Sequence, residues 1–257
     1  MINKITALLP VFNSEKSVRN TLESIKWADE ILIVDSFSTD KTLEIANEFG
    51  AKIIQHEYEN SAAQKNWSLQ YCRYEWILQI DSDEILEEGA EFEIRNSIQN
   101  LVDEVQCFKF ARKNHVLGKW IQNGGIYPDW EYRLFKRDLG KWLDIEVHSR
   151  LTVPGRVMPL KSHILHFGMP NISKQIANLD RYTRYEADEL LKKNKKFSLI
   201  KWLLFPGLIF IHRFIWLGGF KDGWRGYLLA VNTAYYYFLS YSKFKEIKAL
   251  SLSESPR

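Results

Sequence analysis

Trp76-Ile77-Leu78-Gln79-Ile80-Asp81-Ser82-Asp83-Glu84 is the stretch on which the reading of this chain turns. Residues 76–80 have the make-up of a buried strand, and the strand stops on two carboxylates one residue apart, with Glu84 directly behind. Packing alone gives an apolar strand no reason to end in three acids, because an ionised carboxylate is costly to bury unpaired. Two carboxylates at this spacing on a turning backbone suit a divalent cation of the Mg²⁺ or Mn²⁺ type, which takes oxygen ligands and bridges to substrate phosphates. The alternative is a solvated acidic turn that opens the next helix. Asp-x-Asp is too short a pattern to choose between them.

The residues upstream supply the context. Ile5 to Leu9 is an apolar strand ended by Pro10, and Asn13 and Ser14 offer N-cap chemistry for a helix through about Ile25. Glu30 to Val34 is a second strand, closed by Asp35 and the loop 36–40. A helix over about 41–49 follows, with Gly50 placed to end it. Lys52 to Gln55 is a third strand. Ser61 and Gln64 have capping-box spacing for a helix to about Cys72. Strands apolar throughout that alternate with helices predict a parallel sheet covered on both faces. Ligands of such sheets bind at the carboxyl ends of the strands, and there stand Pro10 to Asn13, Asp35 to Asp40 and Asp81 to Glu84. That placement favours a metal or nucleotide site at Asp81 and Asp83. Neither a Gly-x-Gly-x-x-Gly loop nor a P-loop is present, so any phosphates must be met by side chains and a cation rather than a glycine nest.

Downstream the pattern loosens. After a helix over about 89–100, a strand is expected at 105–112 and short, partly antiparallel strands at 132–136, 145–153 and 164–167, around an irregular stretch at 119–128 with Gly124-Gly125. His148, His163 and His166 share this half with Asp129, Glu131, Asp144 and Glu146. Acceptor recognition and acid–base chemistry belong in such a region, although a lone histidine is as readily a hydrogen-bonded structural residue. A helix over 172–194 leads to an apolar segment, 199–220, that contains Lys201, His212 and Arg213 and is interrupted by Pro206-Gly207 and Gly218-Gly219. The internal cations and breakers argue against a simple transmembrane span. A segment in the bilayer interface, anchored by Trp202, Phe205, Phe210, Phe214 and Trp216, fits better; a buried helix pair is the alternative. A last helix is expected over 222–248, and a disordered tail from Ser251.

The 257 residues suit one large α/β domain with an appendage. With 46% hydrophobic and 26% charged residues the chain is a folded protein. Cys72 and Cys107 have neither metal nor disulfide spacing. The run from Ile5 to Val11 is broken by Pro10 and lacks a cleavage site, unlike a secretory leader. The net charge of +3 is unevenly spread, since residues 181–248 carry 13 Lys/Arg against 5 Asp/Glu. A basic, aromatic final third points to an anionic surface: by charge alone, phospholipid headgroups or nucleic acid.

Six ordered motifs give the chain a family likeness over nearly its whole length: Leu-Pro-Val-Phe-Asn (9–13), Ile-Val-Asp-Ser-Phe-Ser-Thr-Asp (33–40), Ala-Gln-Lys-Asn-Trp (63–67), the opening stretch, Tyr-Pro-Asp-Trp-Glu-Tyr-Arg-Leu-Phe-Lys-Arg (127–137) and Gly-Gly-Phe-Lys-Asp-Gly-Trp-Arg-Gly-Tyr (218–227). The sequence resembles family 2 glycosyltransferases, and within them the bacterial lipopolysaccharide core glucosyltransferases. The resemblance implies an α/β GT-A (nucleotide-diphospho-sugar transferase) fold with a Rossmann-like sheet. A catalytic domain would span 1–170, with a nucleotide-sugar half to about 104 and an acceptor half over 105–170. A helical, membrane-associating appendage would follow over 171–250, with a disordered tail at 251–257. It implies an inverting transfer of a hexose, glucose above all, from a UDP-sugar to a lipid-linked acceptor such as the lipopolysaccharide inner core. The place of work would be the cytoplasmic face of the cell membrane, with no nucleic-acid partner.

By the same likeness, Pro10, Asn13, Asp35, Lys65, Asn66 and Asp81 bind the nucleotide sugar. Asp81 and Asp83, with His166 as a further candidate, hold Mg²⁺ or Mn²⁺. Asp129 is the general base. In one place the pattern departs: relatives often show His-Glu where this chain has His148-Ser149, which keeps Glu131 and Glu146 in view as bases. The competing classes are a sugar-nucleotidyltransferase, a phosphohydrolase and a non-catalytic nucleotide-sugar scaffold. The segment 9–13 has neither the glycine-rich basic loop of the first nor the nucleophilic aspartate of the second.

Overall fold

A computed structural model describes residues 3–101, 104–143 and 150–253, the last three without their side chains. Its elements in chain order begin β1 (Ile5–Val11), α1 (Val18–Ile25), β2 (Glu30–Asp35), α2 (Thr42–Glu48), β3 (Lys52–Gln55), α3 (Ser61–Ser68), β4 (Trp76–Gln79), β5 (Glu84–Leu86) and α4 (Ala90–Gln99). They continue with β6 (Val105–Val116), β7 (Lys119–Trp120), β8 (Asp129–Lys136), β9 (Lys141–Leu143), β10 (Arg150–Thr152), β11 (Arg156–Met169), α5 (Ile172–Lys192), α6 (Leu199–Ile211) and α7 (Trp224–Ser253). The chain forms two compact units: Met1–Asn114 with Pro128–Gly168, and His115–Tyr127 with Met169–Arg257.

In the first unit the order β3-β2-β1-β4 is parallel, as three strand–helix repeats require. Then the sheet changes character. β8 pairs antiparallel with β4, β6 antiparallel with β8, and beyond β6 lie β11 and, antiparallel to it, β5. The parallel sheet expected of the strand–helix repeats is its first half, and the partly antiparallel pairing expected downstream is found in β8, β6, β11 and β5. Side chains alternate across the sheet. Ile5, Ala7 and Leu9 pack against Val18, Leu22 and Ile25 of α1, while Leu8 joins Leu32, Ile77, Phe135 and Trp142 on the opposite face.

Several local expectations are corrected. β1 runs through Pro10 to Val11, and α1 starts only at Val18, because Asn13 and Ser14 bond elsewhere. Asn60, not Ser61, caps α3 by accepting from the Ala63 N–H at 2.8 Å, since the Gln64 side chain is engaged with His56 and Ser36. Glu84 opens a strand instead of continuing an acidic turn. β6, β8 and β11 are longer than expected, because each gains partners on the antiparallel side that no local pattern announces. The strand expected at 145–153 falls partly on residues 144–149, outside the described residues, as do Asp144, Glu146 and His148. Gly50, at φ +65°, does end α2.

The second unit is helical. α7 packs on α6 and α5. Lys243 Nζ donates to the Asp180 carboxylate at 2.8 Å and to Thr183 Oγ1 at 2.9 Å, and Trp202 Nε1 donates to Ser242 Oγ at 2.8 Å. The segment 115–127 belongs here. Asp222, 4% exposed, accepts from the Asn123 N–H at 2.8 Å; Arg213 donates to the Gly124 carbonyl at 2.7 Å and Arg225 to the Leu117 carbonyl at 2.9 Å. The motif 218–227 thus holds an excursion that leaves after Asn114 and returns at Pro128. A π-helical turn, His212–Trp216, ends α6. The window Leu199–Trp216 has a mean hydropathy of 1.5 and is the one helix among the described residues long and apolar enough to cross a membrane. A buried core pair it is not: Ile200 is 72% and Trp216 82% exposed, and Leu203, Leu204 and Leu208 lie open as well. α7 extends to Ser253, past the start expected for a disordered tail, and residues 254–257 lie outside the described residues.

Candidate functional site

The site is built on the carboxyl ends of β1, β2 and β4. Asp35, fully buried at the end of β2, accepts from the Ser38 N–H at 3.1 Å and from Gln55 Nε2 at 2.9 Å. Asn13 stands beside it at φ +46°, a conformation asparagine tolerates. Its N–H donates to Ser38 Oγ and its Oδ1 accepts from the Thr39 N–H, so the loops after β1 and β2 are sewn together next to Pro10.

The turn after β4 is tied from several sides. Ser82 Oγ lies 2.9 Å from Ser14 Oγ, the Ser82 carbonyl accepts from Thr21 Oγ1, and the Asp83 carbonyl accepts from the Phe167 N–H. Asp81 meets two cations, Lys65 Nζ at 3.2 Å and Arg133 Nη2 at 2.9 Å, and accepts from Gln79 Nε2 at 2.8 Å. Burial pushes the Asp81 carboxyl up, but the charges of Arg133 and Lys65 outweigh it and hold the group well below the usual carboxylate range. Lys65 is itself only 7% exposed.

Behind Asp81 lies an ionic ladder. Glu84, fully buried, accepts from Arg133 Nη2 at 2.6 Å, from Arg112 Nη1 at 3.2 Å and from the Asp81 N–H at 3.0 Å. Arg133 also donates to Gln79 Oε1. Arg112 continues to Asp129, donating from Nε at 2.9 Å and Nη2 at 2.7 Å, and to Glu131 at 3.2 Å. Asp129 Oδ2 accepts a third bond from Asn114 Nδ2 at 2.8 Å, while Oδ1 has no hydrogen-bond partner among the described residues. The ladder thus links Lys65 and Asp81 at one end to Asp129 at the other. Burial lowers the pKa of Arg112 and Arg133, but the acids around them reverse this and raise both.

Of the candidate residues, Asp81, Asp83, Lys65, Asp129 and His166 are brought together around β4, β8 and β11, and Asp35, Pro10 and Asn13 lie at the neighbouring strand ends. Asn66 is differently placed. Its Nδ2 donates to the Trp142 carbonyl at 2.8 Å and its Oδ1 accepts from the Trp142 N–H at 2.9 Å, which makes it a clamp on β9. His163 pairs with Glu87 at 2.8 Å, a structural role. Sequence reasoning named Glu84 among the acids at the strand end without a role, and gave none to Arg112, Arg133 and Asn114. Gln79 was the available signal: an amide inside an apolar strand, 1% exposed, must have a polar partner. Both thiols are buried, which pushes Cys72 and Cys107 up to about 12 and removes them as nucleophiles.

The side chains that could hold a divalent cation here are Asp81, Asp83 and His166. His166 Nε2 stands 3.8 Å from Asp83 Oδ1, and Asp81 lies two residues along the same turn. Four carboxylates (Asp81, Glu84, Asp129 and Glu131) pair with three cations, Lys65, Arg112 and Arg133, and Asp83 stands beside His166, so acids outnumber the permanent cations. No group of three or more metal-ligating side chains is preassembled among the described residues.

The architecture is that of the GT-A nucleotide-sugar transferases. A mannosyltransferase, PcManGT of Pyrobaculum calidifontis, solved with GDP-Man and Mn²⁺, superposes with a TM-score of 0.57 at 14% identity, covering 94% of this chain and 86% of that one. Residues 1–349 of S. aureus TarS, solved with UDP-GlcNAc, match with a TM-score of 0.51 at 14% identity, covering 99% and 93%. The family model described as Glycosyl transferase family 2 matches residues 6–153, more than half of the chain, and the chain belongs to that family. Among its relatives, the lipopolysaccharide core biosynthesis glycosyltransferase LpsC of Rhizobium meliloti (strain 1021) is 25% identical over 253 residues, covering 96% of this chain and 93% of that protein. A glycosyltransferase of Rickettsia bellii (strain RML369-C) is 25% identical over 265 residues, covering 96% and 88%. The protein is a glycosyltransferase, and the nucleotidyltransferase, phosphohydrolase and scaffold readings give way to it.

Proposed function

We propose that this glycosyltransferase moves a hexose, with glucose the first choice, from a UDP-sugar to a lipid-linked saccharide such as the lipopolysaccharide inner core, with inversion. The observation that carries the proposal is the ladder from Lys65 and Asp81 to Asp129. It spans the two chemical needs of the reaction: charge for a leaving diphosphate, and a carboxylate for the acceptor. The lipopolysaccharide relative supports the acceptor class.

In this reading Asp35 takes the nucleotide base, beside Pro10 and Asn13, and Lys65 faces the diphosphate. Asp81, Asp83 and His166 would hold Mg²⁺ or Mn²⁺, which would neutralise the leaving diphosphate. Asp129 is preferred over Glu131 as base because three donors on Oδ2 orient it and leave Oδ1 open. Oδ1 takes the acceptor hydroxyl's proton. The hydroxyl oxygen bonds to the anomeric carbon, and the carbon–oxygen bond to the diphosphate breaks with its electrons on the departing oxygen. Asn66 serves by fixing Trp142, whose ring lies 5.9 Å from Lys65 Nζ. The exposed apolar face of α6 and the basic residues of the helical unit would rest on the cytoplasmic face of the cell membrane, close to the lipid-linked acceptor.

Asp81→Ala and Asp129→Asn test the roles. Both should lower transfer from UDP-glucose by about 10²–10⁴-fold, while only Asp81→Ala weakens Mn²⁺-dependent UDP binding in a thermal-shift titration. Normal transfer by both variants would sink the assignment.

A further inference from the structure

Asn114 stands between the two halves of the site. Its Nδ2 lies 2.8 Å from Asp129 Oδ2 and its Oδ1 lies 2.7 Å from His166 Nδ1. The amide orientation is forced. A carboxylate oxygen with two Arg112 donors on it only accepts, so the Asn114 atom facing it must be the NH₂ group and the atom facing His166 must be the carbonyl. A carbonyl accepts; hence Nδ1 of His166 carries a hydrogen. In the neutral ring that leaves Nε2 with its lone pair bare, 3.8 Å from Asp83 Oδ1. Free imidazole side chains in water favour the other tautomer, with the hydrogen on Nε2, so the local bond reverses an intrinsic preference.

A second observation concerns the ring's position. A Cβ placed on Gly168 would fall 2.4 Å from His166 Nε2 and 2.6 Å from Cε1. Residues 166 and 168 are two apart on β11 and share a face of the strand. Glycine at 168 is therefore what leaves room for the imidazole to present Nε2 on this side.

We propose that Asn114 is a positioning residue, with Gly168 as its steric complement: it holds His166 as the Nδ1–H tautomer, aims the Nε2 lone pair at a divalent cation beside Asp83, and by its other arm orients Asp129. The proposal rests on the metal reading above but is separable from it. It explains why an uncharged amide sits inside an ionic cluster. An amide can donate to the base and accept from the metal-side histidine at once, so the two functional groups share one link. Metal ligands of this kind have their free nitrogen fixed by an outer partner, whose loss costs about 10–100-fold in metal affinity.

The test uses the full-length protein without metal first. Nitrogen-15 NMR of the histidine side chains, about two pH units above the ordinary imidazole pKa of ~6.5, should show His166 protonated on Nδ1. In Asn114→Ala it should revert to Nε2–H, and in Asn114→Asp, which keeps an acceptor toward the ring, it should stay on Nδ1. Mn²⁺ titration in the presence of UDP, followed by water proton relaxation, should then give at least about tenfold weaker binding for Asn114→Ala and Gly168→Ala than for the parent. Asn114→Asp should keep the Mn²⁺ affinity yet lose kcat, because a second carboxylate replaces the donor to Asp129. A parent protein with His166 on Nε2–H, or an Asn114→Ala variant with parental tautomer and parental Mn²⁺ affinity, overturns the proposal. A parent that shows the Nδ1–H tautomer but binds no Mn²⁺ removes the metal reading and the ligand role of His166, while the tautomer assignment stands.

Discussion

Glu87 shows how single residues hold the first unit together. It follows β5 and accepts from Lys113 Nζ on β6 at 2.7 Å and from His163 Nδ1 on β11 at 2.8 Å. Burial raises its pKa, but the bonds from Lys113 and His163 prevail and bring it down to about 2. A carboxylate whose folded pKa is depressed stabilises the fold above its unfolded pKa of about 4.3, and that contribution disappears as pH falls toward the folded value. Glu87→Gln should therefore unfold at lower urea than the parent at pH 7. The difference should close between about pH 4.3 and pH 2. A gap that stays constant through that window would mean the ion pairs are not its source. The buried Asp81–Arg133–Glu84 cluster belongs to the same scale but serves differently. Desolvation offsets much of the attraction in a buried ion cluster, so its worth is geometric, holding Asp81 rigid at the head of the turn.

At the scale of elements, the turn between the 3₁₀ segment Gly219–Asp222 and α7 is set by backbone contact. A Cβ on Gly226 would fall 1.8 Å from the Gly219 carbonyl oxygen, and one on Gly219 would fall 2.7 Å from the Arg213 carbonyl oxygen. Neither obstacle is a flexible side chain, so the backbone itself must move. Gly226→Ala should cost about 1–3 kcal/mol, the range for overpacking, seen as a lowered midpoint in chemical denaturation. It should also loosen 115–127, since Asp222, Arg213 and Arg225 hold that segment. Faster amide exchange at Asn123 and Gly124 is the local readout. Full parental protection there would refute the coupling.

For the whole molecule the prediction concerns the membrane. A cut near residue 198 would remove the apolar segment, but it would also strip 115–127 of its anchors, so loss of function would be ambiguous. Substitutions on the exposed face are cleaner. Leu203→Glu with Leu208→Glu, both 59% exposed, should leave the packing on α7 intact. They should release the protein from vesicles containing anionic lipid, while UDP binding stays within about twofold because the residues proposed to bind it belong to the other unit. Undiminished vesicle binding by the double variant would defeat the membrane reading.

What the sequence determined by itself is local or periodic. The parallel repeat β1–β4 was legible because apolar runs alternating with helices leave few arrangements, and the acids at 81 and 83 because ionised groups at the end of a buried strand need a reason. The family was legible because several short motifs in fixed order exclude coincidence. Only the tertiary structure decided the strand order and strand lengths in the antiparallel half of the sheet, since β6, β8 and β11 are long by virtue of partners distant in sequence. It alone showed that Asn66 clamps Trp142, that Arg133 and Glu84 stand behind Asp81, and that Asn114 joins Asp129 to His166. Such roles belong to hydrogen-bond geometry, and no spacing along the chain encodes which of an amide's two ends meets a carboxylate and which meets an imidazole.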